Sequence, residues 1–212
     1  LPTRYLPGRR VLTDDEARRI GTPTKWNYVN DCTDILLASA RGGDNFQRTF
    51  MEAFVRPGED LQNWTSRANY AARGIVQTGS RELSLYVKHH SGYPSNHVRR
   101  YVIRADGFAS VQAPYAGGEF ITKPFIFSGE KLSLNFATSA VGGLFVEIQT
   151  ADEKPIEGFS HQDCRELIGD RIDQTVTWKH GTDVSRLAGK PIRLRIVMKD
   201  ADLYSLQFSG SD

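Results

Sequence analysis

The sequence predicts an all-β protein. Three observations carry that expectation: apolar residues recur with period two in short runs, turn residues separate the runs, and one segment alone carries helix start and stop signals. "ELSLYV" sets Leu83, Leu85 and Val87 against Ser84 and Tyr86. "KLSLNFATS" sets Leu132, Leu134 and Phe136 against Ser133, Asn135 and Ala137, and "GLFVEIQT" sets Leu144, Val146 and Ile148 against Glu147 and Gln149. "PIRLRIVM" does the same with Ile192, Leu194, Ile196 and Met198, and "DLYSLQFSG" places Tyr204, Leu206 and Phe208 on one face. Asp106-Gly107, Ser128-Gly129, Gly142-Gly143 and "ADEKPIEG" read as turns between these runs. "TDDEARRI" is the helical exception, with Thr13 as N-cap, Glu16 three residues on, and Arg18 and Arg19 near its end. A second short helical turn fits "SHQDCREL". Short strands with almost no helix argue for sheets packed face to face or closed on themselves.

Composition excludes some functions and permits many. The 212 residues are 39% hydrophobic and 25% charged, enough to bury a real core in one large or two small domains. A net charge of +2 makes no case for nucleic acid, and no apolar run approaches the roughly 20 residues that a membrane-crossing helix needs. Cys32 and Cys164 lack metal-like neighbours and read as free buried thiols. Nothing in the chain asks for a cofactor. A boundary falls in "SVQAPYAGG", residues 110–118, where small residues, a proline and a glycine pair separate two strand-rich regions. It gives segments 1–112 and 113–212.

Few residues carry chemistry on spacing alone. His89, His90 and His97 lie within nine positions beside Arg99, Arg100 and Arg104. Along a strand, His89 and His90 point to opposite faces, so they do not converge on one metal ion. No metal is expected; the histidines of a hairpin tip either face solvent or edge a sugar cleft. Asp31 and Asp34 in "NDCTD" could pair for acid–base work, but two carboxylates in a short loop more often accept backbone N–H groups. Asp163 and Asp170 could cap turns or hold Ca²⁺. "NWT" fits an N-glycosylation sequon at Asn63. The basic residues of "RLRIVMKDADLY" are followed by Asp200 and Asp202, which favours a solvated sheet face.

Longer stretches carry a resemblance. "GEFITKPFIFSGEKLSLNFATSAVGGLFVEIQTADEKPIEGFSHQDC" with the later "LAGKPIRLRIVMKDADLYSLQF" resembles the C-terminal β-sandwich of bacterial glycosidase-like proteins with a five-bladed β-propeller. "NWTSRANYAARGIVQTGSRELSLYV" with "HVRRYVIRADGFASV" resembles the last propeller blade of the same proteins. "DILLASARGGDNFQR" resembles the outer part of the blade before it. The resemblance covers nearly the whole chain, most specifically residues 63–208. It implies a partial β-propeller of one to two blades in 1–112, then a jelly-roll-like β-sandwich in 113–212.

The resemblance also implies a function. The chain would complete the propeller funnel of a glycoside hydrolase and support sugar binding, its partners being a carbohydrate substrate and the upstream propeller portion. The catalytic carboxylates of such enzymes come from the first three blades, so they are expected upstream of Leu1. The other reading is a non-catalytic carbohydrate-binding or structural β-sandwich protein. Compartment stays open, with secretion or the periplasm compatible. The first strand of a blade lines the funnel, so Arg67 and Asn69 are expected to share its inner face with Trp64 and Tyr70 nearby. Arg67 would hold hydroxyls or an anionic substituent, or else close the propeller on a neighbouring blade's carboxylate. The aromatic rings would stack on sugar C–H faces. Such proteins commonly carry one histidine at the position of His90, which makes it the histidine expected to touch substrate.

Overall fold

The computed structural model of the protein describes residues 1–22 and 28–210. They are all-β: antiparallel sheets and little helix, with none of the sheets closed into a barrel. No helix among these residues is long and apolar enough to cross a membrane. Two compact units divide the chain, Leu1–Ile103 and Arg104–Asp212.

In the first unit, β1 (Thr3–Leu6) is followed by the six-residue helix α1 (Asp14–Arg19), then β2 (Cys32–Leu36) and β3 (Ala53–Val55). β2 is the middle strand of a three-stranded antiparallel sheet. Helix α1 forms as the sequence predicts. Thr13 caps it, accepting from the Glu16 N–H, while Glu16 reaches back to the Thr13 N–H at 2.9 Å. A second sheet follows, of β4 (Tyr70–Ala71), β5 (Val76–Gly79), β6 (Glu82–His89) and β7 (His97–Arg104), and β6 pairs with the other three. The apolar core of this unit is small: Ile35, Val55, Leu85 and Val87, with partly buried Leu1, Phe54, Tyr101 and Ile103 against it.

The second unit is built on two long strands. Here β8 (Val111–Ala113) and β9 (Gly118–Ile121) pair with β12 (Ile192–Ser209), which pairs with β10 (Lys131–Thr150), and β10 with β11 (Asp170–Thr175). Runs that the sequence separates are therefore continuous: β10 spans both "KLSLNFATS" and "GLFVEIQT", and β12 spans both of the last two runs. Gly142-Gly143 is not a turn. It lies where the β10–β12 register shifts, and a β-carbon on Gly142 would fall 2.3 Å from the Asp200 carbonyl oxygen. Glycine is required there by the closeness of the partner backbone. "SHQDCREL" forms a turn held by Asp163, which accepts from the Ser160 hydroxyl at 2.6 Å, and no helix.

One face of the β10–β12 pair is wholly apolar. Leu132, Leu134, Phe136, Leu144, Val146, Ile148, Leu194 and Ile196 are fully buried and pack with Phe127, Phe159 and Trp178. The indole N–H of Trp178 donates to the Val146 carbonyl at 2.9 Å, so its burial leaves no donor unmet. Arg104 belongs to this unit. Its guanidinium donates to Asn135 Oδ1 and Asp170 Oδ1 and lies 4.2 Å from the centre of the Tyr204 ring. Both cysteines are free and buried, as the sequence suggests. Burial pushes the Cys164 thiol up to about 11. Truncation of Leu134 to alanine is expected to cost about 2–5 kcal/mol in urea unfolding, whereas a loss under about 0.5 kcal/mol would contradict its place in a packed core.

Candidate functional site

The β1–β2 ribbon presents two different faces. Its register sets Tyr5 opposite Thr33 and Arg4 opposite Asp34, and neighbours along a strand point to opposite sides. On the Arg4 side, the guanidinium donates to Asp34 through Nε at 2.9 Å and through a second nitrogen. That pair borders a groove of about 520 Å³ lined also by Glu52, Arg56 and Trp64.

Arg67 lies on the Tyr5 side. Its Nε donates to Asp31 Oδ2 at 2.7 Å, and its guanidinium sits 3.5 Å from the centre of the Tyr28 ring and 5.3 Å from that of Tyr5. Tyr70 meets Tyr5 edge to face at 6.0 Å. An arginine between aromatic faces is held by cation–π attraction as well as by its carboxylate. Asp31 is fixed in turn. It accepts the Gly8 N–H at 2.9 Å, and that bond, with Arg67, keeps its carboxyl below the usual range despite the opposing effect of burial.

The backbone explains why Arg67 and Asn69 part company. Residues 64–69 are not a strand: Ser66 and Arg67 have φ of 57° and 52°. Left-handed backbone costs a non-glycine residue ~1–3 kcal/mol, so neighbouring structure has to impose it. The imposing bond runs from the Arg67 N–H to the Asp31 carbonyl at 3.0 Å. Strand alternation therefore fails, and Asn69 turns inward. It is fully buried, donating from Nδ2 to the carbonyls of Thr33 and Asn63, while its backbone N–H donates to Thr33 Oγ1 at 2.9 Å.

Asn63 joins this region to the histidines. Its side chain is buried, donates to the Pro57 carbonyl at 3.1 Å and accepts through Oδ1 from the His90 N–H. The same Oδ1 lies 3.0 Å from His89 Nδ1, and Tyr101 Oη lies 3.0 Å from His89 Nε2. Neutral His89 fits these partners, donating to Asn63 and accepting from Tyr101. The amide that the sequon would present for modification is thus enclosed and occupied in the folded chain.

His90 leaves the strand with φ of 54° and is 8% exposed. Its Nε2 lies 2.7 Å from Asp60 Oδ2, and its Nδ1 lies 3.0 Å from Ser95 Oγ, which also reaches Gln62 Oε1 at 3.0 Å. Burial would raise the Asp60 carboxyl, but the Gln62 N–H and His90 together hold it below the usual range. This chain ties the tip of the β6–β7 hairpin to residues 60–62. His89 and His90 are buried, not solvent-facing, and no group of three or more ligands among the described residues could hold a metal ion.

The five residues singled out by the sequence thus occupy four places. Arg67 and Tyr70 come together. Trp64 faces the groove on the other side of the ribbon, and its indole N–H donates to the Gly58 carbonyl at 2.7 Å. Asn69 supports the arrangement from beneath, and His90 closes a separate latch. Tyr5, Tyr28 and Asn63 complete the picture without any sequence signal that marks them as a set. Asp31 and Asp34 each pair with a different arginine, Arg67 and Arg4, and Asp31 also accepts a backbone N–H. Asp163 and Asp170 pair with Lys179 and Arg104, not with one another.

No family model, curated protein or solved structure matches the chain.

Burial pulls His89 down to about 4 from 6.5, with Arg99, His97 and His90 acting the same way and Asp60 opposing them. Its neutral form is therefore the one the fold favours, and the unfolded chain binds the extra proton first. Stability due to this residue is complete above pH 6.5 and is lost as pH falls towards 4. Chemical unfolding across that window should show a steeper loss for wild type than for His89→Gln. Parallel pH profiles would refute the assignment.

Proposed function

We propose that the chain is the C-terminal part of a glycosidase-like protein, in which Arg67 contacts a carbohydrate. The unit Leu1–Ile103 would supply the last one to two blades of a five-bladed propeller, and Arg104–Asp212 a jelly-roll-like β-sandwich. Two small antiparallel sheets, of three and four strands, suit the first assignment. Two long strands burying one apolar face suit the second.

The observation that carries the reading is the Arg67 cluster. Tyr5 and Tyr28 remain 45% and 41% exposed, so their rings are accessible beside a guanidinium whose direction is already fixed by Asp31. Sugars offer such a surface apolar C–H faces for the rings and hydroxyls for the free N–H donors. A pre-set arginine also loses little side-chain freedom on binding. Asp31 and Asp34 are committed to arginines, so in this reading the chain binds and the two carboxylates of glycoside cleavage belong to preceding blades of the assembled protein. The same ion pairing favours, as second reading, a carbohydrate-binding protein without hydrolase activity.

A glycan-array screen of the chain and of its longer parent tests the proposal. Arg67→Ala and Tyr5→Ala should each weaken the best sugar by about tenfold or more, equivalent to ~1.4 kcal/mol. Unchanged sugar binding in both variants would overturn it. Hydrolysis by the parent separates the first reading from the second.

A further inference from the structure

The outward face of the β10–β12 pair is not an ordinary solvated sheet surface. Opposite the apolar core, β10 presents Gly143, Phe145, Glu147 and Gln149, and β12 presents Lys199, Val197, Arg195 and Arg193 directly across from them. β9 adds Glu119, opposite Val197. Two of these polar residues are buried: Glu147 and Gln149 are each 4% exposed. The Glu147 carboxylate accepts from the His161 N–H at 3.0 Å and from Gln149 Nε2 at 2.7 Å, with Arg195 at 3.7 Å. Arg195 reaches on to Glu119 through Nε at 3.1 Å. Burying a carboxylate is costly unless it is paired and hydrogen-bonded, and this one is both. The result is a buried polar floor.

Beside that floor lies a groove of about 500 Å³, within the size range of small-ligand sites. Phe145 and His161 form one wall, their rings 4.7 Å apart. Glu166 lies over the sheet at Gly143, where a β-carbon would fall 2.3 Å from its Oε1. At the other end Lys199 Nζ sits 4.6 Å from the centre of the Tyr115 ring, which is 66% exposed. The Phe145 ring, the Glu119 and Glu166 carboxylates and the Lys199 ammonium therefore line one space, with Tyr115 at its edge against Lys199. Among the charged side chains that line it, the carboxylates of Glu119 and Glu166 outnumber the Lys199 ammonium.

We propose that this groove is a second binding site, for a neutral sugar residue of an oligosaccharide. Phe145 and Tyr115 take its apolar faces, Glu166 and Glu119 accept from its hydroxyls, and Lys199 donates to them. An anionic sugar would face the two carboxylates of Glu119 and Glu166, so the occupant is neutral. The choice of a saccharide rests on the carbohydrate reading of the Arg67 cluster; the groove itself uses none of its residues.

The test is an amide NMR titration of the chain with neutral gluco-, manno-, xylo-, arabino- and fructo-tetrasaccharides, and with an oligogalacturonate as the charged contrast. At least one neutral sugar should shift the amides of residues 115–119, 143–145, 161 and 199. Tyr115→Ala and Glu166→Gln alter exposed side chains, so their folding is not at issue. Each should weaken that response about tenfold, while Arg67→Ala leaves it intact. Shifts confined to residues near Tyr5 and Arg67 would overturn the groove and sustain the first site. Shifts in the groove with no response at Arg67 would do the reverse. Binding of the oligogalacturonate alone, no binding of any sugar, or wild-type affinity in both groove variants would each overturn the proposal.

Discussion

The first unit depends on one buried amide. Asn63 donates to the Pro57 carbonyl, accepts from the His90 N–H, and lies against His89 Nδ1, while its own carbonyl receives Asn69. Residues 57, 69 and 89–90 thus meet on one side chain and its backbone. An apolar side chain of the same size would leave the His90 N–H and the Pro57 carbonyl without these partners, and each unmet buried group costs ~1–3 kcal/mol.

Such dependence reflects how little apolar core this unit has. Ile35, Val55, Leu85 and Val87 form a small cluster, whereas the second unit has an extended core drawn from residues 113–208. Hydrogen bonds supply direction where hydrophobic burial supplies little of it. The chain Asn63–Asn69–Thr33 sets β2, and the backbone of β2's flank holds Arg67 in its left-handed conformation. Arg67 points at Tyr28 and Asp31 because the polar network leaves it no strand to follow. The surface around Arg67 is thus a consequence of the packing problem beneath it.

This also explains what the sequence made legible. Period-two runs marked the strands, because alternation reports burial on one face directly. The capping box at Thr13 and Glu16 was equally plain, being a contact within four residues. Gly142-Gly143 misled, since two glycines signal a turn and a close backbone approach alike, and only the partner strand distinguishes them. Asn69 misled for a similar reason: alternation with Arg67 presumes regular strand dihedrals, which Ser66 and Arg67 do not have. The aromatic set around Arg67 joins residues 5, 28 and 70, a grouping that needs the register of β1 on β2. Asn63 stood in view as a sequon, its long-range bonds invisible from local spacing.

Hydrogen exchange on Asn63→Ala tests the central claim most directly. Removal of the amide directly deprives the His90 N–H of its acceptor, so exposure of His90 alone would be trivial. If Asn63 organises the unit, the Asn69 N–H, which donates to Thr33 and not to the Asn63 side chain, should lose protection together with His90, by about tenfold or more. Loss at His90 with Asn69 fully protected would contradict the account.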